Sequence, residues 1–266
     1  MYAVDLRLGG TEDNWIIFKA ENRWCAKIDG EDNRIHFGWN FGDNANYVWV
    51  EGFEIFGFDF AGFWDNHDCH DIYLYNNHIH TIGRRLATEG DYKYGRCGVG
   101  IDRTSKNVTI DRNVIHNIGR IPHSYNEPHD YKNDHGIYAQ GFGIKIQNNL
   151  IYDCPAGWSI KIDGNDFGFS ENSHIIRDNI FALPSNPYRE GHIRFYTNPA
   201  CKYEPKNVII NNNIFYKPPH NTAISIRKDY STVIKNNIMT CENLIPLYFK
   251  DTQRIIMEDN VKLEIE

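Results

Sequence analysis

Seven short segments of this chain carry polar side chains at matching places between aliphatic ones. They read Cys25-Ala-Lys-Ile-Asp-Gly30, Gly98-Val-Gly-Ile-Asp-Arg103, Gly136-Ile-Tyr-Ala-Gln140, Ser159-Ile-Lys-Ile-Asp163, His192-Ile-Arg-Phe-Tyr196, Ala223-Ile-Ser-Ile-Arg227 and Pro246-Leu-Tyr-Phe-Lys250. Alternation puts successive side chains on opposite faces of a strand, so the residues between the aliphatics face outward. One outward series is Gly100, Tyr138, Lys161, Arg194, Ser225, Tyr248, and a second is Asp102, Gln140, Asp163, Tyr196, Arg227, Lys250. The cations Lys161, Arg194, Arg227 and Lys250 therefore stand among tyrosines in a chain of net charge −7. A basic strip on an acidic protein suits an anionic ligand. An acidic polysaccharide fits, because arginine pairs with carboxylates and tyrosine rings stack on sugar faces.

The elements that must position these residues are legible as an internal repeat. Ile72-Tyr-Leu-Tyr-Asn-Asn-His-Ile79, Val108-Thr-Ile-Asp-Arg-Asn-Val-Ile115, Ile144-Lys-Ile-Gln-Asn-Asn-Leu-Ile151 and Val208-Ile-Ile-Asn-Asn-Asn-Ile-Phe215 share one pattern with three shorter copies. Their common asparagines are Asn77, Asn113, Asn149, Asn179, Asn213, Asn237 and Asn260, separated by 36, 36, 30, 34, 24 and 23 residues. Each copy is a short alternating strand, a polar turn and a further apolar pair. Asparagine tolerates left-handed turns and bonds nearby backbone, so stacked turns predict an asparagine ladder. The shortest period suits one coil of a solenoid, with three strands and three turns. The longer periods predict insertions, at 83–97 and 120–135, beside the strands of the outward columns. The second holds His123, Tyr125, Glu127, His129, Asp130, Tyr131, Asp134 and His135.

The recurrent Asn-x-Ile turn, Asp134-His-Gly-Ile-Tyr138 and the opening Gly10-Thr-Glu-Asp-Asn-Trp-Ile-Ile-Phe-Lys-Ala20 resemble the pectate-lyase-like superfamily. The resemblance spans nearly the whole chain. It implies an all-β fold, a right-handed parallel β-helix of about eight to ten coils, as a single domain over 1–266. It also implies a polysaccharide lyase, secreted or periplasmic, that cleaves a pectate- or alginate-like uronate polymer by β-elimination. The alternatives on this fold are a glycoside hydrolase and a non-catalytic glycan-binding or tailspike-like solenoid.

Elimination needs a group that neutralises the carboxylate, a base for the C5 proton and an acid for the leaving oxygen. Lysine or arginine on this strand commonly serves as base in lyases of this fold. The expected catalytic set is Lys161 as base, crowded by cations, Arg194 as carboxylate clamp, and Tyr138 or His135 as acid. Gln140, Tyr196, Arg227, Tyr248, Lys250 and Tyr131 are the expected substrate-binding residues. A Ca2+ held by Asp102, Asp163 or the acidic loop at 120–135 would take over part of the Arg194 role. The Asp102 and Asp163 carboxylates are also the pair a hydrolase would use, at about 9.6 Å if two coil spacings apart. Polygalacturonase patterns (Asp-Asp, Gly-His-Gly, Arg-Ile-Lys) are absent. Asp65, Asp68 and Asp71 read as turn residues. Lys27-Ile-Asp-Gly30 repeats Lys161-Ile-Asp-Gly164 far from the insertions, which makes Lys27 an internal control.

Composition narrows the classes further. The pI of about 5.9 disfavours a nucleic-acid partner. No apolar run approaches the roughly 18–20 residues of a membrane helix. The six cysteines show no paired spacing of a zinc site. Met1 to Gly10 lacks the basic and apolar regions of a signal peptide. Met1 to Leu8 shows no capping helix, as expected of a fragment or of an end covered in a dimer.

Overall fold

The computed structural model describes residues 1–85, 95–121, 133–155, 157–164, 174–182, 191–196, 207–218, 223–227, 231–240, 247–250 and 255–263, with Arg227 and 247–250 described by backbone alone. Among these residues there is no helix. Three parallel sheets, nine strands each, run the length of a solenoid, and each coil adds one strand to each sheet. Face 1 holds Tyr2–Leu6, Phe37–Phe41, Ala61–Asp65, Cys97–Ile101, His135–Ala139, Ile160–Asp163, Ile193–Tyr196, Ile224–Arg227 and Leu247–Lys250. Face 2 holds the strands that enter the Asn turn, and face 3 those that leave it.

The alternating residues form strands because β-branched side chains fit a pleated, half-buried surface. Stacking coils in register then puts like on like. Ile110, Ile146, Ile176, Ile210 and Ile234 make one inward column. Ile137, Ile160, Ile193 and Ile224 make another. All nine side chains are fully buried. Each contributes roughly 1.5–3 kcal/mol of burial free energy.

The asparagine ladder forms as the repeat predicts. Oδ1 of Asn113 accepts the Asn77 amide at 2.9 Å, and the same bond runs from Asn113 to Asn149, Asn179, Asn213, Asn237 and Asn260 at 2.9–3.1 Å. Each Nδ2 also donates to a carbonyl of the preceding coil, such as Asn149 to Ile110 at 2.9 Å. The left-handed residue, however, is the one before each ladder asparagine: Asn76, Arg112, Asn148, Asp178, Asn212, Asn236 and Asp259, with φ of 50–57°. That turn points the following side chain inward.

Two expectations need correction. Lys27–Asp29 is the first strand of face 3, paired with Glu54–Phe56, and not a member of face 1. The alternation repeats on every face, so only position relative to the Asn turn tells the faces apart. Asp65 is not a turn residue. It points inward at the end of Ala61–Asp65 and is 3% exposed, whereas Asp68 and Asp71 do occupy left-handed turns. Cys25, Cys69, Cys97 and Cys154 are free thiols; Cys201 and Cys241 lie outside the described residues.

Removing a mid-ladder side chain orphans several buried groups at once. Each such group costs about 1–3 kcal/mol. Asn149→Ala is expected to cost at least ~3 kcal/mol in urea unfolding, and Asn260→Ala, at the ladder's end, clearly less. Burial raises the Asp65 carboxyl to about 7, with Ser105 and Cys69 offsetting part of the effect. The unfolded chain ionises first as pH rises, so the native state loses stability between about pH 4 and 7. Asp65→Asn should therefore gain on the wild type from pH 4 to pH 8, by on the order of 3–4 kcal/mol. Parallel unfolding titrations at the two pH values measure that gain.

Candidate active site

Face 1 brings the first outward series into one column. The backbone register runs Trp64, Gly100, Tyr138, Lys161, Arg194, Ser225, Tyr248. Trp64 was not among the expected residues. It lies over Gly100, where an added Cβ would clash with the indole ring. The signal that finds it is the glycine at the second place of Ala61-Gly62, Cys97-Gly98 and His135-Gly136, which aligns the earlier coil.

A pocket of about 260 Å³ opens on this column. Phe60, Trp64, Arg96, His135, Tyr138 and Lys161 line it. Lys161 Nζ is 3.1 Å from Asp163 Oδ2, and the Tyr138 hydroxyl donates to the same oxygen at 2.8 Å. Lys161 thus faces a carboxylate and two tyrosine rings, with Arg194 its neighbour on the next coil. The Tyr138 and Tyr196 ring centres lie 5.1 and 5.8 Å from Nζ. Inward-pointing neighbours fill the core, so the charged ends are left to meet one another at the surface. Arg194, one coil on, lies over Tyr196 and Trp158 at 5.1 and 5.3 Å.

His135 is buried, and its ring stacks on Tyr138 at 5.7 Å. The Trp158 backbone amide donates to His135 Nδ1 at 3.0 Å. A nitrogen that accepts this bond carries no proton, so the neutral ring holds its proton on Nε2 and acts as a donor. Gln140 is half-buried just past its strand. The backbones of Arg227 and Lys250 pair in register. Tyr131, His123, Tyr125 and His129 lie outside the described residues, as do the side chains of Arg227, Tyr248 and Lys250.

The ends of both insertions are tied behind the pocket by one carboxylate. Asp134 accepts from the Arg96 amide at 2.8 Å, from the Arg120 amide at 2.8 Å and from Arg120 Nη2 at 2.6 Å. Both Asp134 and Arg120 are fully buried. Asp134, read from sequence as part of an acidic loop, is thus internal. Arg96 continues the network to Asp59 at 3.5 Å and lies over Phe60.

The donor set for Ca2+ can be tested directly. Asp163 Oδ2 already takes the Lys161 ammonium and the Tyr138 hydroxyl. Asp102 Oδ1 takes His67 Nδ1 at 3.1 Å and caps Thr104 through its amide and hydroxyl. Ca2+ needs about six to eight oxygens, and both carboxylates are already engaged by side-chain or backbone partners. Asp102 and Asp163 do not make that cage.

The fold has counterparts among solved structures. An alginate lyase from Paenibacillus matches with a TM-score of 0.54 over 94% of this chain and 88% of its own, at 15% identity. The chain is a right-handed parallel β-helix. The A-module of a mannuronan C-5 epimerase from Azotobacter vinelandii matches this β-helix at 0.50, with 12% identity over 98% and 73% of the two chains. The surface adhesin PfbA of Streptococcus pneumoniae matches at 0.53, with 11% identity over 99% and 73%. At such identities the likeness is one of fold. No family model matches the chain, and no curated protein sequence is similar to it.

Breaking a buried ion pair from one side costs about 3–5 kcal/mol. Asp134→Ala is expected to lower stability by that amount, read by denaturant unfolding. It should also raise protease cleavage within the two insertions, because both lose their common anchor.

Proposed function

We propose that the Lys161 pocket is the active centre of a lyase that cleaves an anionic, uronate-containing polysaccharide, pectate- or alginate-like, by β-elimination. The observation that carries this reading is the in-register placement of Lys161 and Arg194 on adjacent coils, with Tyr138 and His135 beside them at an open, tryptophan-walled pocket. Adjacent coils lie about 4.8 Å apart, a span within one uronate ring. Arg194 pairs with the carboxylate and makes the C5 hydrogen acidic. Lys161, in its neutral form, takes that proton. The electron pair forms the C4–C5 double bond, and the C4–O bond to the leaving sugar breaks. His135, whose proton is held on Nε2, or Tyr138 supplies the proton to the leaving oxygen. Asp163 orients Lys161 and Tyr138 together. Phe60 and Trp64 offer stacking surfaces to the neighbouring sugar.

The alginate lyase and the mannuronan epimerase of like fold support a uronate polymer as the substrate class. A hydrolase would require two carboxylates at the pocket. Among the described residues, its lining contributes none.

The test is incubation with a panel of uronate polymers, following the ultraviolet absorbance of the unsaturated uronate that only elimination produces. Turnover is expected, and it should be unchanged by a calcium chelator. Lys161→Ala and Arg194→Ala should each lower kcat at least ~10²-fold while remaining folded by circular dichroism. Lys27→Ala, on face 3 and paired with Glu54 at 2.9 Å, should leave the rate unchanged. No absorbance with any polymer would leave a glycan-binding module instead.

A further inference from the structure

Face 3 carries a second cluster of chemically capable side chains, away from the face 1 pocket. Glu54 and His78 are cross-strand partners, as are Phe56 and His80. Residues two apart on a strand share a face, so Glu54, His78 and His80 all project together. Glu54 Oε1 lies 3.1 Å from His80 Nε2 and 3.9 Å from His78 Nδ1. One donor atom from each of the three lies within 4.8 Å of the others. The other carboxylate oxygen, Oε2, is taken by Lys27 at 2.9 Å, which turns Oε1 toward the histidines.

The surroundings hold these rings in place. His80 stacks flat between Phe56 and His116, at 5.2 and 5.1 Å, and His116 stacks on Tyr152 at 4.5 Å. Trp24 covers His78 at 4.9 Å, fixed by its indole N–H to the Asn76 carbonyl at 2.7 Å. His78 Nε2 meets His116 Nε2 at 2.8 Å, so its Nδ1 is the nitrogen presented to Glu54.

We propose that Glu54, His78 and His80 form a binding site for a divalent transition-metal ion of the zinc class. Imidazole and carboxylate donors suit such ions. Metal–donor distances of about 2.0–2.2 Å place donors ~3–4 Å apart around one ion, a spacing these half-buried side chains reach with small rotamer changes. The His78–His116 contact is the outer hydrogen bond that orients a ligating imidazole. The ion would join strands of consecutive coils, Glu54–Phe56 to His78–Ile82, and so act as a clamp on the β-helix.

The test uses the full-length, untagged protein, stripped with chelator and titrated with Zn2+ alone by calorimetry. One ion per chain is expected to bind, with a rise in Tm at saturation. Co2+ in its place should give the visible absorption bands of a nitrogen–oxygen site. His80→Ala and Glu54→Gln should each weaken binding at least ~10-fold, whereas His67→Ala, on the other side of the coil, leaves it unchanged. Glu54→Gln preserves side-chain shape and so gives a reading even if His80→Ala fails to fold. Absence of saturable one-to-one binding, or undiminished affinity in Glu54→Gln, overturns the proposal.

Discussion

The structure depends on a buried asparagine at the same corner of successive coils. Each one satisfies a backbone amide and a carbonyl of the coil before it. An unpaired buried amide is costly, so the ladder admits one register only. A coil that slipped by a residue would orphan every group at that corner and turn its isoleucines to solvent. The constraint acts between neighbours. It therefore tolerates any insertion elsewhere in the coil, and this is why the period stretches from 23 to 36 residues without breaking the fold.

That tolerance is where the candidate active site is built. Face 1 keeps its strands in register, so side chains far apart in sequence line up about 4.8 Å apart. The insertions enter beside that face and are fastened at their feet by the buried Asp134–Arg120 pair. A buried ion pair is a poor source of net stability but a strict geometric one, since either partner alone is costly. Its position between two insertions suits it to fixing where the pocket wall begins.

The electrostatics of the pocket follow from the same stacking. The inward positions are filled mostly by apolar side chains, so Lys161 and Asp163 point outward and meet there, with Arg194 on the next coil. Asp163 holds both Lys161 and Tyr138 by one oxygen. It turns two flexible side chains into a pair of fixed direction, beside the aromatic surface of Phe60 and Trp64. Face 3 shows the same geometry put to another use, with histidine and glutamate where face 1 has lysine and tyrosine.

The sequence by itself determined the coil, the ladder and the register of the outward column from Gly100 to Tyr248, because each is a local pattern repeated at readable spacing. It also singled out Tyr138, Lys161 and Arg194 as neighbours. It misassigned Lys27–Asp29, since alternation is identical on all three faces, and Asp65, since an aspartate in a polar stretch reads as a turn. Only the tertiary structure decided the internal role of Asp134, the Asp163 contact with Lys161 and the clustering of Glu54, His78 and His80. Those contacts join side chains through burial, rotamer and the direction of a turn. None of these leaves a period in the chain, and each is settled only when neighbouring coils close on one another.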